Sequence, residues 1–267
     1  MGIKTIENRI SDVLEQNKKL FIPYVMCGDG GYEKTGEVIR MLEASGASII
    51  EIGIPFSDPI ADGPSIQAAG QRALDQGTTL KGILGFLKNL EPQNDVPRII
   101  MTYLNPIVQY GFEAFFSELK GAHVSGLIIP DLPLEEYDLI TPYTTPNEIA
   151  IIPLIAPSTS VERIKSILHQ TNGFIYTVTV NGTTGARRTF SNEVLDRLTL
   201  IKKETDMPVV AGFGVSSQEH VDLLGQYCDG VVVGSKIVDL ANRNQFSAIK
   251  ELVSGTPKKE TPYIPSF

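Results

Sequence analysis

Glu51, Asp58 and Asp62 lie close together in the run IIEIGIPFSDPIADGP, residues 49–64. Side chains alternate along a strand, so Glu51 faces opposite to Ile50 and Ile52. If those isoleucines pack outward, Glu51 enters an apolar interior, where a lone carboxylate finds a partner or holds its proton to higher pH. A carboxyl that titrates near neutrality suits general acid–base chemistry. The plainer alternative is an internal carboxylate tied up in structural hydrogen bonds. Downstream, Pro55, Pro59 and Pro64 stiffen the backbone, and Gly53 and Gly63 permit tight geometry. A stiff loop of this kind holds a second carboxylate at a fixed distance from Glu51. Residue types leave open whether that carboxylate is Asp58 or Asp62, since Asp also caps turns and helices.

A second constellation is rich in glycine. VNGTTGARR carries Gly182, Thr184 and Gly185; AGFGVSS carries Gly212 and Gly214; VGSKIV carries Gly234 and Ser235. Each follows a β-branched run. Glycines let backbone N–H groups approach phosphate oxygens, and a following helix N-terminus favours the anion. Any one of them is also readable as a tight turn, whereas two in adjacent late loops predict phosphate binding at Gly185, Gly212, Gly214, Gly234 and Ser235. The segment Thr179–Asn192, with Arg187 and Arg188, reads as a mobile lid. His123, His169 and His220 fall on helices or at strand entrances, so neither histidine catalysis nor a histidine metal site is expected.

Those residues must be positioned by regular elements. Eight candidate strands are Leu20–Met26, Ser48–Ile54, Arg98–Tyr103, Gly126–Ile129, Ala150–Ile155, Phe174–Val178, Pro208–Ala211 and Gly230–Val233. Several are near-continuous Ile/Val/Leu runs, as in parallel strands covered on both faces. Amphipathic segments alternate with them, including Glu33–Ala44, Phe112–Leu119, Val161–Leu168, Glu193–Glu204 and Gln218–Leu224. The alternation predicts an α/β protein, a (β/α)8 TIM barrel, whose ligands bind where strands run into βα loops. Ile6–Gln16 adds an N-terminal helix capping the barrel bottom, and an extra helix is expected around Leu80–Leu90. The 267 residues fit one barrel domain, with a cap over about 1–17 and a polar, proline-rich tail over about 255–267.

Composition narrows the partners. The net charge of −8 lacks the basic footprint of a nucleic-acid binder. No apolar run approaches the length of a membrane span, and the N-terminus lacks the pattern of a signal peptide. Cys27 and Cys228 stand far apart without metal-ligand spacing, as reduced thiols would. A cytoplasmic protein is expected.

The run EIGIPFSDPIADGP resembles the signature of the tryptophan synthase α chain family. FIPYVMCGDGG, MTYLNPI with Tyr103 and Asn105, LIIPDLPLEE with Asp131 and Pro133, and Tyr176 extend the resemblance from about residue 8 to 254. Gly30 stands where proline is usual, and Val180–Asn181 replace the lid's more usual Arg-Ser pair. The resemblance implies retro-aldol cleavage of indole-3-glycerol phosphate, with Glu51 and Asp62 as the catalytic carboxylates. It places Tyr24, Leu104, Leu127 and Tyr176 around the substrate and gives Thr184 the task of ordering Asp62. It further implies docking through Pro55 and Asp58 to a β chain in an α2β2 heterotetramer. Pyridoxal phosphate would belong to that partner, and this chain would use no cofactor or metal of its own. A stand-alone lyase that releases free indole is the nearest alternative; an isomerase on a phosphate-binding barrel and a mere activator of a β chain are the others.

Overall fold

The computed structural model describes residues 2–169, 171–179 and 190–255. Nine parallel strands form a single curled sheet. They are β1 Leu20–Met26, β2 Ile50–Gly53, β3 Arg98–Met101, β4 Val124–Ile128, β5 Ala150–Ile151, β6 Leu154–Ile155, β7 Ile175–Val178, β8 Val209–Gly212 and β9 Gly230–Val233. The order β5-β4-β3-β2-β1-β9-β8-β7-β6 places β5 and β6 at opposite ends. Only two residues separate these strands in the chain. The expected fifth strand, 150–155, is therefore one strand serving two neighbours: Ile152 N–H donates to Leu127 O (2.9 Å), and Tyr176 N–H donates to Pro153 O (3.1 Å). Pro153 has no N–H to give, which accounts for the interruption. Covalent continuity through Ile152–Pro153 thus closes the (β/α)8 barrel, and the ninth strand is the fifth one split.

Strand parity organises the packing. Ile22, Tyr24, Ile99, Ile128, Phe174, Tyr176, Val210 and Val232 point into the barrel and form one apolar cluster. Their chain neighbours Phe21, Val25, Ile50, Ile52, Ile100, Ile175, Val209, Val231 and Val233 point outward against the helices. Both faces of every strand are covered, which is why these segments read as unbroken apolar runs.

The N-terminal helix runs Ile3–Glu15, three residues earlier than the apolar pattern suggested. Ile6, Ile10 and Val13, at helical spacing, are buried in the inner cluster. A Cβ on Gly126 of β4 would lie 3.1 Å from Ile6 Cδ1, so the helix plugs the end of the barrel remote from the βα loops. Leu80–Lys88 is the expected extra helix. Leu104–Tyr110 and Thr141–Asn147 are helices that the sequence reading passed over. Both contain prolines: Pro106 and Pro142 sit in first turns, where a missing N–H is tolerated, and Pro146 falls within the last turn of Thr141–Asn147. No described helix is long and apolar enough to cross a membrane.

Candidate active site

A cavity of about 400 Å3 opens at the C-terminal ends of the strands. Glu51, on the inward face of β2, is nearly fully buried (1% exposed) and lines it. Its flanking Ile50 and Ile52 belong to the outer layer, as alternation required. In register, Glu51 lies between Tyr24 of β1 and Ile99 of β3. Neither of its carboxylate oxygens has a hydrogen-bond partner among the described residues. Burial, and secondarily the nearby Asp62 charge, pushes its pKa up to about 8. The structural alternative, a carboxylate saturated by hydrogen bonds, does not describe this group.

Asp62 reaches the same cavity from the proline-rich loop. Its backbone is fastened by Asp62 N–H to Pro59 O (3.1 Å) and by Gln67 Nε2 donating to Asp62 O (2.8 Å). Tyr103 secures the side chain: its hydroxyl donates to Asp62 Oδ2 (3.3 Å) and accepts from Ala61 N–H (2.9 Å). Phe56 packs on the Tyr103 ring at 5.2 Å. Burial raises the Asp62 pKa to about 6, while the Tyr103 hydrogen bond pulls it down. Asp58, by contrast, is exposed at the loop tip, where Ser57 Oγ donates to it (2.6 Å). The choice between the two aspartates is thus made by placement. One enters the cavity and the other stays exposed, bonded to Ser57.

Tyr24 and Tyr176 line the cavity beside the carboxylates, and burial with both negative charges holds each phenol well above its ordinary pKa. Both rings depend on a glycine in a neighbouring strand. A Cβ on Gly53 would fall 1.8 Å from the Tyr24 hydroxyl, and one on Gly212 would fall 2.3 Å from the Tyr176 ring. Gly53→Ala must therefore displace the Tyr24 ring, which lines the cavity. We expect kcat/KM to fall roughly 100-fold and stability to drop by about 1–3 kcal/mol, read by steady-state kinetics and thermal melts; a variant matching the parent in both would show that Tyr24 has room to spare.

Gly214, Gly234 and Ser235 also line the cavity. Gly234 immediately precedes the helix Ser235–Asn242, whose first residues line the cavity. Gly212 does not line the cavity; it makes room for Tyr176 and accepts hydrogen bonds at its carbonyl from Thr179 Oγ1 (2.8 Å) and N–H (3.0 Å). Thr184 and Gly185, with most of the expected lid, lie outside the described residues.

Two expected pocket residues are placed elsewhere. Leu127 is fully buried in the outer layer between β4 and the helices, because Ile128 takes the inward position. Leu104 begins the helix Leu104–Tyr110 and packs partly against that same outer layer; its N–H accepts no role in the cavity but donates to Asp131 Oδ1 (2.9 Å). Asp131 accordingly serves the loop after β4 as an anchor for the first turn of that helix. Pro55 is buried and offers little surface to a partner, while Asp58 and Ile60 (76% exposed) form the loop tip. The reading of residue types had overlooked Phe213, which lines the cavity with a left-handed φ of 69° and its ring 5.8 Å from Tyr176. Its signal was its place between two glycines in AGFGVSS, which marks a strained turn.

A closed parallel barrel with two carboxylates of raised pKa at its C-terminal mouth has the architecture of the barrel enzymes, whose sites lie at that mouth. The sequence profile described as tryptophan synthase alpha chain matches residues 10–260. Tryptophan synthase alpha chains of Bacillus thuringiensis (strain Al Hakam) and Bacillus anthracis are each 50% identical over 260 residues, covering 97% of this chain and 99% of theirs. A solved structure from Aquifex aeolicus superposes with a TM-score of 0.87 at 34% identity, covering 96% of this chain and 97% of that one. One of Mycobacterium tuberculosis tryptophan synthase gives 0.85 at 30% identity, covering 94% and 97%. The chain belongs to the tryptophan synthase alpha chain family. The alpha chain of this enzyme is a lyase that cleaves indole-3-glycerol phosphate in tryptophan biosynthesis.

Proposed function

We propose that Glu51 and Asp62 carry out this cleavage as an acid and an anion held in one cavity. The observation that carries the reading is Glu51, buried at the barrel mouth with both oxygens free of partners among the described residues. With its pKa near 8 it holds a proton at neutral pH, while Asp62, near 6, is mostly ionised. Glu51 gives its proton to indole C3. The bond from C3 to the glycerol side chain then breaks, and its electron pair returns to the indole ring. The carboxylate so formed takes the proton of the side-chain hydroxyl as the aldehyde forms, which restores the acid. Asp62 accepts a hydrogen bond from the indole N–H and stabilises the positive charge developing on the ring. Indole is its own electron sink, so the chain needs no cofactor for this step. The phosphate lies against Gly214, Gly234 and Ser235, while the roles expected of Thr184 and Gly185 fall outside the described residues.

Indole leaves toward a pyridoxal-phosphate-dependent β chain in an α2β2 heterotetramer, docked through the loop tip carrying Asp58, and the enzyme works in the cytoplasm. Structures of tryptophan synthase among the solved relatives support the partner.

Turnover across pH tests the acid–base assignment. Activity needs Asp62 ionised and Glu51 protonated, so kcat/KM should rise as pH passes about 6 and fall as it passes about 8. The substrate phosphate also titrates near the lower limb, so the residual activity of Asp62→Asn provides the control: it should lose the acidic limb and keep the alkaline one. An alkaline limb that is absent between pH 7 and 10 would remove Glu51 from the role of acid.

A further inference from the structure

We propose that Lys236 is a phosphate-binding residue, supplying the positive charge that holds the substrate's phosphate at the glycine-lined end of the cavity. The inference rests on the proposed location of the phosphate and adds a residue to it. Lys236 is the second residue of the helix Ser235–Asn242, one position beyond Ser235, and it lines the cavity. It is only partly exposed, yet its ammonium makes no hydrogen bond or ion pair among the described residues. Asp239 lies three residues on along the same helix and also lines the cavity, but its carboxylate takes a hydrogen bond from Ser65 (3.2 Å) instead of pairing with Lys236. A half-buried lysine normally finds an acid or swings its head into water. This one is held beside a cavity and left unpaired.

The charge balance of the cavity points the same way. Its lining carboxylates are Glu51, Asp62 and Asp239, in a chain with a net charge of −8. A phosphate monoester brings a further charge of about −1.5 to −2 at neutral pH. Backbone amides at a helix N-terminus offer the equivalent of about half a positive charge, too little to offset both the ligand and its acidic surroundings. The only lining cations among the described residues are Lys236 and Arg243, and Arg243 is exposed at the rim. Lys236 is the one placed in the first turn, beside the amides of Gly234 and Ser235. As a flexible point charge it can follow the phosphate without imposing the fork geometry of arginine.

The test uses the full chain and its Lys236→Met and Lys236→Arg variants. Backbone amide resonances of Gly214, Gly234 and Ser235 are followed as inorganic phosphate is added, and KM and kcat for indole-3-glycerol phosphate and the Kd for indole are measured in parallel. Support requires that those amides shift in the parent, and that Lys236→Met weakens inorganic phosphate and raises KM by at least about fivefold. In the same variant kcat should stay within twofold and the indole Kd should be unchanged, while Lys236→Arg should recover most of the loss. If the amides shift but Lys236→Met changes neither phosphate affinity nor KM, the phosphate location stands and Lys236 is a solvated lysine. If the variant weakens indole as much as phosphate, the residue packs the pocket and the proposal fails. Amides that do not respond to phosphate would overturn the location itself, and Lys236 with it.

Discussion

Replacing Glu51 by Gln should lower kcat for indole-3-glycerol phosphate cleavage by a factor of roughly 10^3 or more, beyond the middle of the range for removing a positioned general acid–base group. KM should change little, because the amide fills the same space and the phosphate end of the cavity is untouched. The same variant should be more stable than the parent at alkaline pH. The Glu51 pKa is raised in the folded chain from the ordinary 4.5 to about 8, chiefly by burial. For a carboxyl shifted upward, the stabilising contribution is fully present below the unfolded value, and it is lost as pH rises through the folded one. The parent should therefore weaken between about pH 4.5 and 8, and the Gln variant should not. Thermal melts at pH 5 and pH 9 read the effect: the gap between the two proteins should open with pH. Activity and stability would then pull in opposite directions at one side chain, as expected where a catalytic group is held in an environment hostile to its charge. Turnover near that of the parent, or a gap that closes with rising pH, would be incompatible with this account.

Arg98 should dominate stability. Its side chain is fully buried at the base of β3, and it donates from Nε (3.2 Å) and Nη2 (2.8 Å) to Glu43 Oε1. It also donates from Nη1 to the carbonyl of Leu90. Glu43 is equally buried, on the helix Tyr32–Ala44. This one guanidinium therefore ties β3 to a helix on one side and to the end of the segment after Leu80–Lys88 on the other. Removing one member of a buried pair strands the other charge, which costs about 3–5 kcal/mol. In a chain of this size that corresponds to a fall in Tm of roughly 6–20 °C. Arg98→Met should show it in full. Adding Glu43→Leu should recover most of the loss, because two apolar side chains leave no orphaned charge. A single variant melting within a degree or two of the parent would mean that water or a rearranged helix satisfies Glu43. Since β3 pairs directly with β2 in the register Glu51–Ile99, loosening its base should also reduce activity at temperatures below the melt.

How far the sequence discloses this site varies from residue to residue. Glu51 was legible from parity alone, because a single polar residue among isoleucines breaks the symmetry between the two faces of β2. Leu127 was not. In GLIIP every side chain is apolar, so either parity buries the strand equally well, and the inward position went to Ile128. Leu104 was expected beside the substrate from family resemblance, but it starts the helix Leu104–Tyr110, and its N-cap residue Tyr103 turns its hydroxyl to Asp62. Asp58 and Asp62 have the same chemistry and the same kind of neighbours. Family resemblance preferred Asp62, and the fold puts Asp62 against the cavity and leaves Asp58 exposed.

What the sequence determined by itself is whatever depends on local periodicity: alternating strands and helices, the barrel they imply, the inward Glu51, and glycine-rich turns after the late strands. Those features arise from interactions between residues near one another in the chain, and so they leave a pattern in it. Only the tertiary structure decided which distant groups meet. It brought Tyr103 to Asp62 across 41 positions, Arg98 to Glu43 across 55, and the glycines of β2 and β8 against the rings of Tyr24 and Tyr176. It also showed that the two short strands flanking Pro153 are one strand closing the barrel. Long-range pairing is set by how whole elements stack, and no local pattern of residues encodes it.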